Sequence, residues 1–115
     1  MRNNGASAEE RSASYLREKG LKILERNYNT RFGEIDIVAR DGDTIVFVEV
    51  KSRKRGKAES SFTSLKARRF YKAAMIYLAS KGWLDLPFRF DLIAISGVSL
   101  THYKNILGEG GIIVG

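Results

Sequence analysis

Gly33-Glu34-Ile35-Asp36 and Phe47-Val48-Glu49-Val50-Lys51, with Asp41-Gly42-Asp43 between them, decide the fold. Both arms are rich in Ile and Val and the glycine between two aspartates is turn chemistry, so residues 34–40 and 44–51 read as the strands of a hairpin. Side chains alternate across a strand, which puts Ile35 and Ile37 with Val46, Val48 and Val50 on an apolar face. Glu34, Asp36, Glu49 and Lys51 share the opposite, charged face. The turn residues leave the register open. A two-residue Gly42-Asp43 turn, or a four-residue loop, sets Asp36 across from Glu49, and like charges facing each other across a ladder are unfavourable. Lys51 or a divalent cation would relieve them, because hard ions take carboxylate oxygens and keep several waters.

N-terminal to the hairpin, residues 7–19 are expected to be a helix, with Ser7 as a cap, Glu9 and Glu10 near its positive end and Gly20 as terminator. Helical spacing turns Glu9 inward with Ser12, Ala13 and Leu16, and Glu10 outward with Ser14 and Arg17. Glu9 then either offsets the helix dipole or serves a site. Residues 21–28 read as a first strand, and residues 29–33 turn the chain into the hairpin.

After Lys51 comes a basic run containing Arg53, Lys54 and Arg55, either a solvated charge cluster or a phosphate contact. A second helix is expected over 64–81, capped within 61–64 and ended by Gly82. Its stripe of Phe70, Ala73 and Tyr77 runs back to Lys66, and Arg68, Arg69 and Lys72 make its first half positive. Aromatics at that spacing are the signature of core rather than of stacking platforms. Residues 88–95 follow Pro87 as a fourth strand, apolar on both faces. Beyond it, Ile112-Ile113-Val114 reads either as a short edge strand or as part of a mobile tail over 104–115. The glycines Gly108, Gly110 and Gly111 make no phosphate loop, since no Lys-Ser or Lys-Thr follows them.

The 115 residues suit one domain over 1–115, and a net charge of +7 favours an anionic partner such as nucleic acid. No cysteine is present and His102 is the single histidine. Disulfides, thiolate zinc sites and histidine-rich metal sites are thereby excluded. No apolar run approaches the roughly 18–20 residues of a membrane span, and the first residues lack the apolar core of a signal peptide, so a cytoplasmic protein with no membrane partner is expected.

The order helix, three strands, helix, strand, carrying Glu9, Asp36 and Glu49-x-Lys51, resembles the PD-(D/E)XK nuclease superfamily, whose restriction-endonuclease-like core is α/β with helices flanking a mixed central sheet. Gly33-Glu34-Ile35-Asp36, Phe47-Val48-Glu49-Val50-Lys51 and Arg89-Phe90-Asp91 resemble more closely the small bacterial YraN family, described as endonuclease-like and similar in fold to archaeal Holliday-junction resolvases. The resemblance spans Gly5 to about Asn105. It implies that Asp36 and Glu49 bind Mg2+, or Mn2+ in its place, with the Val50 carbonyl as a further ligand. Glu9 would complete the metal site directly or through water, and Lys51 would lie beside the attacking water. Lys66 would match a basic position at the start of the second helix; Arg53, Lys54, Arg55, Lys66 and Arg69 would contact nucleic acid. The sequence departs from the Pro-Asp pair of the superfamily motif, because Ile35 precedes Asp36.

The resemblance implies a metal-dependent endodeoxyribonuclease acting on branched or structured DNA in repair or recombination, with a homodimer if the substrate is a four-way junction. The competing readings are a non-catalytic nucleic-acid-binding protein that keeps the same architecture, and a basic structural protein, which leaves the acidic cluster unexplained. Lys51 has a structural alternative as an ion pair with Glu34 or Glu49. Asp91 reads as structural, paired with Arg89, Arg31 or Arg40.

Overall fold

The computed structural model describes residues 4–53 and 63–107. Its elements are α1 (Asn4–Glu18), β1 (Lys22–Thr30), β2 (Gly33–Asp41), β3 (Thr44–Arg53), α2 (Ser64–Lys81), β4 (Phe88–Ser96) and β5 (Ser99–Tyr103). The five strands lie in the order β1-β2-β3-β4-β5, antiparallel except for the β3–β4 pair. That parallel pair needs a crossover, and α2 lies within it.

The expected succession of elements is present, with one strand more than the sequence suggested. β5 follows β4 through Gly97 and Val98, with Gly97 at φ +59 supplying the left-handed turn. The alternation of Leu100 and His102, partly buried, with exposed Ser99, Thr101 and Tyr103 is the signal that could have revealed it. α1 also begins earlier than expected, so Ser7 lies inside the helix rather than at its cap. α2 has the expected bounds. Thr63 is its N-cap, accepting from Lys66 N at 3.3 Å, and Gly82 ends it at φ +73.

Apolar residues cover both faces of the sheet. Under α2 lie Val38, Ile45, Phe47, Phe90 and Leu92 with Phe70, Tyr77 and Leu78 of the helix. Under α1 lie Ile37, Ala39, Val46, Val48, Ile93 and Ile95 with Ala8, Ala13 and Leu16. One expectation is corrected here: the hairpin does not have an oily and a charged face along its whole length. Ile45 and Phe47 precede Glu49 and Lys51 on the same face and are fully buried, so charge is confined to one end of the strands. Ile106 and Leu107, beyond β5, are buried in the α2 cluster, and Ile106 N donates to Phe90 O at 2.7 Å. Lys54, Arg55, Gly108, Gly110, Gly111 and Ile112-Ile113-Val114, and the side chain of Arg53, lie outside what the structure describes.

A polar network is built into this packing. Asp91, fully buried on β4, accepts from His102 Nε2 at 2.8 Å, Asn105 N at 2.9 Å and Arg89 Nε at 3.1 Å. Arg89 also reaches Asp41 at 3.1 Å, and His102 Nδ1 lies 3.1 Å from the Tyr15 hydroxyl. Of the partners open to Asp91, Arg89 is the one it takes. Burial by itself would raise the Asp91 carboxyl, but the hydrogen bonds from His102, Asn105 and Arg89 outweigh it and hold the group below its usual range.

Candidate active site

Asp36, Glu49 and Lys51 meet where β2 leaves β3. The hairpin closes on Gly42-Asp43, and its cross-strand partners run from Asp41 opposite Thr44 to Ile37 opposite Val48. Asp36 opposite Glu49 would come next in this register. Instead Asp36 Oδ2 accepts the Val50 N–H at 2.7 Å, so a side chain replaces the backbone ladder at that point. The opening still leaves the Asp36 and Glu49 carboxyls in side-chain hydrogen-bond contact, where both cannot carry full charge without cost.

On the β1 side the register shifts once, between Ile23 and Glu25, and then runs unshifted past the level of Asp36. Arg26 lies opposite Ile37 and Tyr28 opposite Ile35, while Asn27 between them has φ +53. Asn tolerates that left-handed region better than most residues. The twist lets two successive side chains reach one helix: Arg26 Nη1 donates to Glu10 and Asn27 Nδ2 to Glu9, each at 2.8 Å. On β2, Ile35 packs under α2 and Ile37 under α1, correcting the expectation that they share a face. Asn27 is thus a site residue that sequence reasoning missed. Its signal was an Asn in the middle of an otherwise strand-forming run.

We expect Asn27→Ala to lower stability by roughly 1–2 kcal/mol, since it loses the bond to Glu9 and leaves at φ +53 a residue that tolerates the left-handed region less well than Asn. Asn27→Gly loses only the bond and should be milder. Urea unfolding followed by the fluorescence of Trp83 measures both; equal losses would show that backbone conformation is not what Asn27 provides.

Glu9 is half-buried and Glu10 exposed, as helical spacing predicts. Because α1 begins at Asn4, neither lies in its first turn, which removes the helix-dipole explanation of Glu9. Asp36 carries the strongest electrostatic signature in the site. Burial first, then the neighbouring Glu49 carboxylate, push its carboxyl up to about 8 against the pull of the Val50 N–H, with Glu9 adding to the rise. Lys51 Nζ pairs with Glu49 Oε2 at 3.0 Å, both side chains largely buried. Burial opposes the Lys51 charge, but the Glu49 carboxylate outweighs it, so the ammonium is held above its ordinary value.

Glu49 and Lys51 line a groove of about 210 Å³ together with Phe32, Gly33, Glu34, Lys66, Arg69, Phe70 and Ala73. Lys66, at the exposed end of the buried α2 stripe, and Arg69 stand on one wall, so the structure brings these two expected cations to the carboxylates. The backbone of Arg53 ends β3. Among the described residues no three His, Asp or Glu side chains form a ready metal cluster. Two carboxyls in contact, one of them pushed far above its usual range by burial and then by the other, nevertheless suit a hard cation that keeps most of its waters, and do not suit one that needs a complete protein cage.

A mixed sheet with a helix on each face, in this element order and with its carboxylates where two antiparallel strands part, defines an α/β protein with a restriction-endonuclease-like core. The model of the Uncharacterised protein family UPF0102 matches residues 8–95, a span that contains Glu9, Asp36, Glu49, Lys51, Lys66 and Arg69. The chain belongs to this family, the YraN family of the sequence resemblance. A UPF0102 protein of Syntrophus aciditrophicus is 50% identical over 95 residues, covering 80% of this chain and 75% of that protein. One from Nitrosomonas eutropha is 46% identical over 113 residues, covering 95% and 97%.

Proposed function

We propose that this chain is a metal-dependent nuclease that hydrolyses phosphodiester bonds in structured or branched DNA. The observation that carries the reading is the pairing of Asp36 with Glu49 at the strand opening, where burial and mutual repulsion call for a cation. Asp36 and Glu49 would hold Mg2+ or Mn2+ with the Val50 carbonyl, and Glu9, oriented by Asn27, would act directly or through water. The bound ion would neutralise the phosphoryl oxygens and lower the cost of deprotonating water.

The chain's own residues do the positioning. Lys51, kept charged by Glu49, is unsuited to take a proton from water; it would instead orient that water and offer its charge to a phosphoryl oxygen. Lys66 and Arg69 on the groove wall would hold flanking phosphates, which fixes the register of a strand without reading its sequence. Paired cuts on a four-way junction would require two such sites and hence a homodimer.

The test is magnesium- or manganese-dependent cleavage of labelled duplex, single-stranded, flap and four-way-junction DNAs, with Asp36→Ala and Glu49→Ala as controls. Cleavage by the parent that both substitutions abolish supports the nuclease and ranks its substrates. Binding without cleavage across the panel, with both metals, would replace it with a non-catalytic nucleic-acid-binding protein.

A further inference from the structure

Phe32 lies in the two-residue connection between β1 and β2, on the lip of the groove that contains Glu49 and Lys51. The turn fixes its position: Thr30 Oγ1 accepts the Phe32 N–H at 3.0 Å and donates to Gly33 O at 2.8 Å. The phenyl ring is half-buried, and two exposed cations lie over it. The Arg31 guanidinium is 5.0 Å from the ring centroid and the Lys72 ammonium 5.1 Å. The large core rings behave differently; Phe47, Phe70 and Phe90 are buried against other aromatics.

We propose that Phe32 is a stacking platform for an unpaired nucleobase, with Arg31 and Lys72 turning to the phosphates on either side of it. The inference rests on the nuclease reading in taking the groove as the path of a nucleic acid, and it specifies the substrate: a strand with an unstacked base beside the reacting phosphate. Each exposed cation over the ring is worth about a few-fold in affinity and a base on an aromatic roughly tenfold or more, so the base displaces the pair provided that both cations regain an anionic partner. The displaced cations meet phosphates, and no charge is stranded. Within a continuous duplex each base face is already covered by its neighbours. Single strands, flaps and opened junctions offer a free face.

The experiment is binding, in the presence of a chelator, of a labelled short oligothymidylate and of an abasic strand of the same length, which keeps the phosphates and removes the bases. The parent should bind the oligothymidylate about tenfold more tightly than the abasic strand. Phe32→Leu, which keeps apolar bulk but has no aromatic face, should abolish the difference and leave abasic binding unchanged. Phe32→Trp should preserve the difference, and its added emission should be quenched by the oligothymidylate. Lys72→Ala should weaken both strands alike. An oligouridylate run in parallel separates DNA from RNA, since both offer the same face.

A parent chain that binds the two strands equally, or binds neither, overturns the proposal, as does a difference that survives in Phe32→Leu. Because no hydrolysis is read, the outcomes separate cleanly. Discrimination without cleavage under magnesium or manganese keeps the stacking site and removes the nuclease; cleavage without discrimination does the reverse.

Discussion

Asp36→Asn should raise the stability of the metal-free protein at pH 8 while removing metal-dependent cleavage. The substitution keeps an oxygen to accept the Val50 N–H and removes the charge that burial and Glu49 oppose. With a folded value of about 8 against an unfolded one near 3.9, Asp36 holds a proton in the native state that the unfolded chain has released. Stability therefore falls as pH rises from about 4 to 8, with a slope of up to roughly 1.4 kcal/mol per unit, and the full penalty stands above pH 8. Relaxation of the pair reduces the total, and a gain on the order of 3 kcal/mol is expected for Asp36→Asn at pH 8, shrinking towards zero near pH 4.

On the proposed mechanism, losing one of two cation-binding carboxylates should lower hydrolysis by about a thousandfold or more. Magnesium should raise the melting temperature of the parent at pH 8 and leave that of Asp36→Asn nearly unchanged, since binding stabilises only the state that binds. Thermal unfolding at pH 5 and pH 8, with and without magnesium, measures these effects. A parent more stable than Asp36→Asn at pH 8 without metal would refute the electrostatic account.

Asp91→Ala is the second large expectation, and its sign is opposite. The carboxylate is fully buried among Arg89, His102 and the Asn105 N–H, so its removal leaves buried donors unmatched and Arg89 with only Asp41. Breaking a buried pair from one side costs about 3–5 kcal/mol. β4 and β5 and the segment that seats Ile106 and Leu107 should loosen together. Urea unfolding followed by Trp83 fluorescence, with hydrogen exchange at residues 99–107, reads both effects.

The pH dependence supplies a separate check. Since the folded Asp91 value is depressed, its contribution is complete above the unfolded value near 3.9 and is lost as pH falls through the lower folded value. Asp91→Ala should therefore differ most from the parent near neutrality and approach it in strong acid. A uniform loss at every pH would assign the effect to packing rather than to the carboxylate.

Much of this was legible from local chemistry. Strands rich in Ile and Val around Asp41-Gly42-Asp43 fixed a hairpin, Gly82 fixed the end of α2, and helical spacing separated half-buried Glu9 from exposed Glu10. The register was restricted rather than chosen, because either turn length placed Asp36 level with Glu49. Asn27 was overlooked for a physical reason. A left-handed residue inside a strand is dictated by what it must reach on another element, here Glu9 of α1, and propensity along β1 carries no record of that. β5 was overlooked similarly, since its five residues are a weak strand signal until β4 supplies a partner.

The sequence by itself determined the element order from α1 to β4, the carboxylate and lysine types on the central hairpin, and the positive charge available for an anionic partner. Only the tertiary structure decided that β2 parts from β3 at Asp36, that Glu49 takes Lys51 as its ion pair, and that Phe32 stands beside them under two cations. The reason is the range of the forces involved. Propensity and periodicity act between near neighbours in the chain, whereas burial and the repulsion of two carboxylates exist only once residues distant in sequence share one low-dielectric gap.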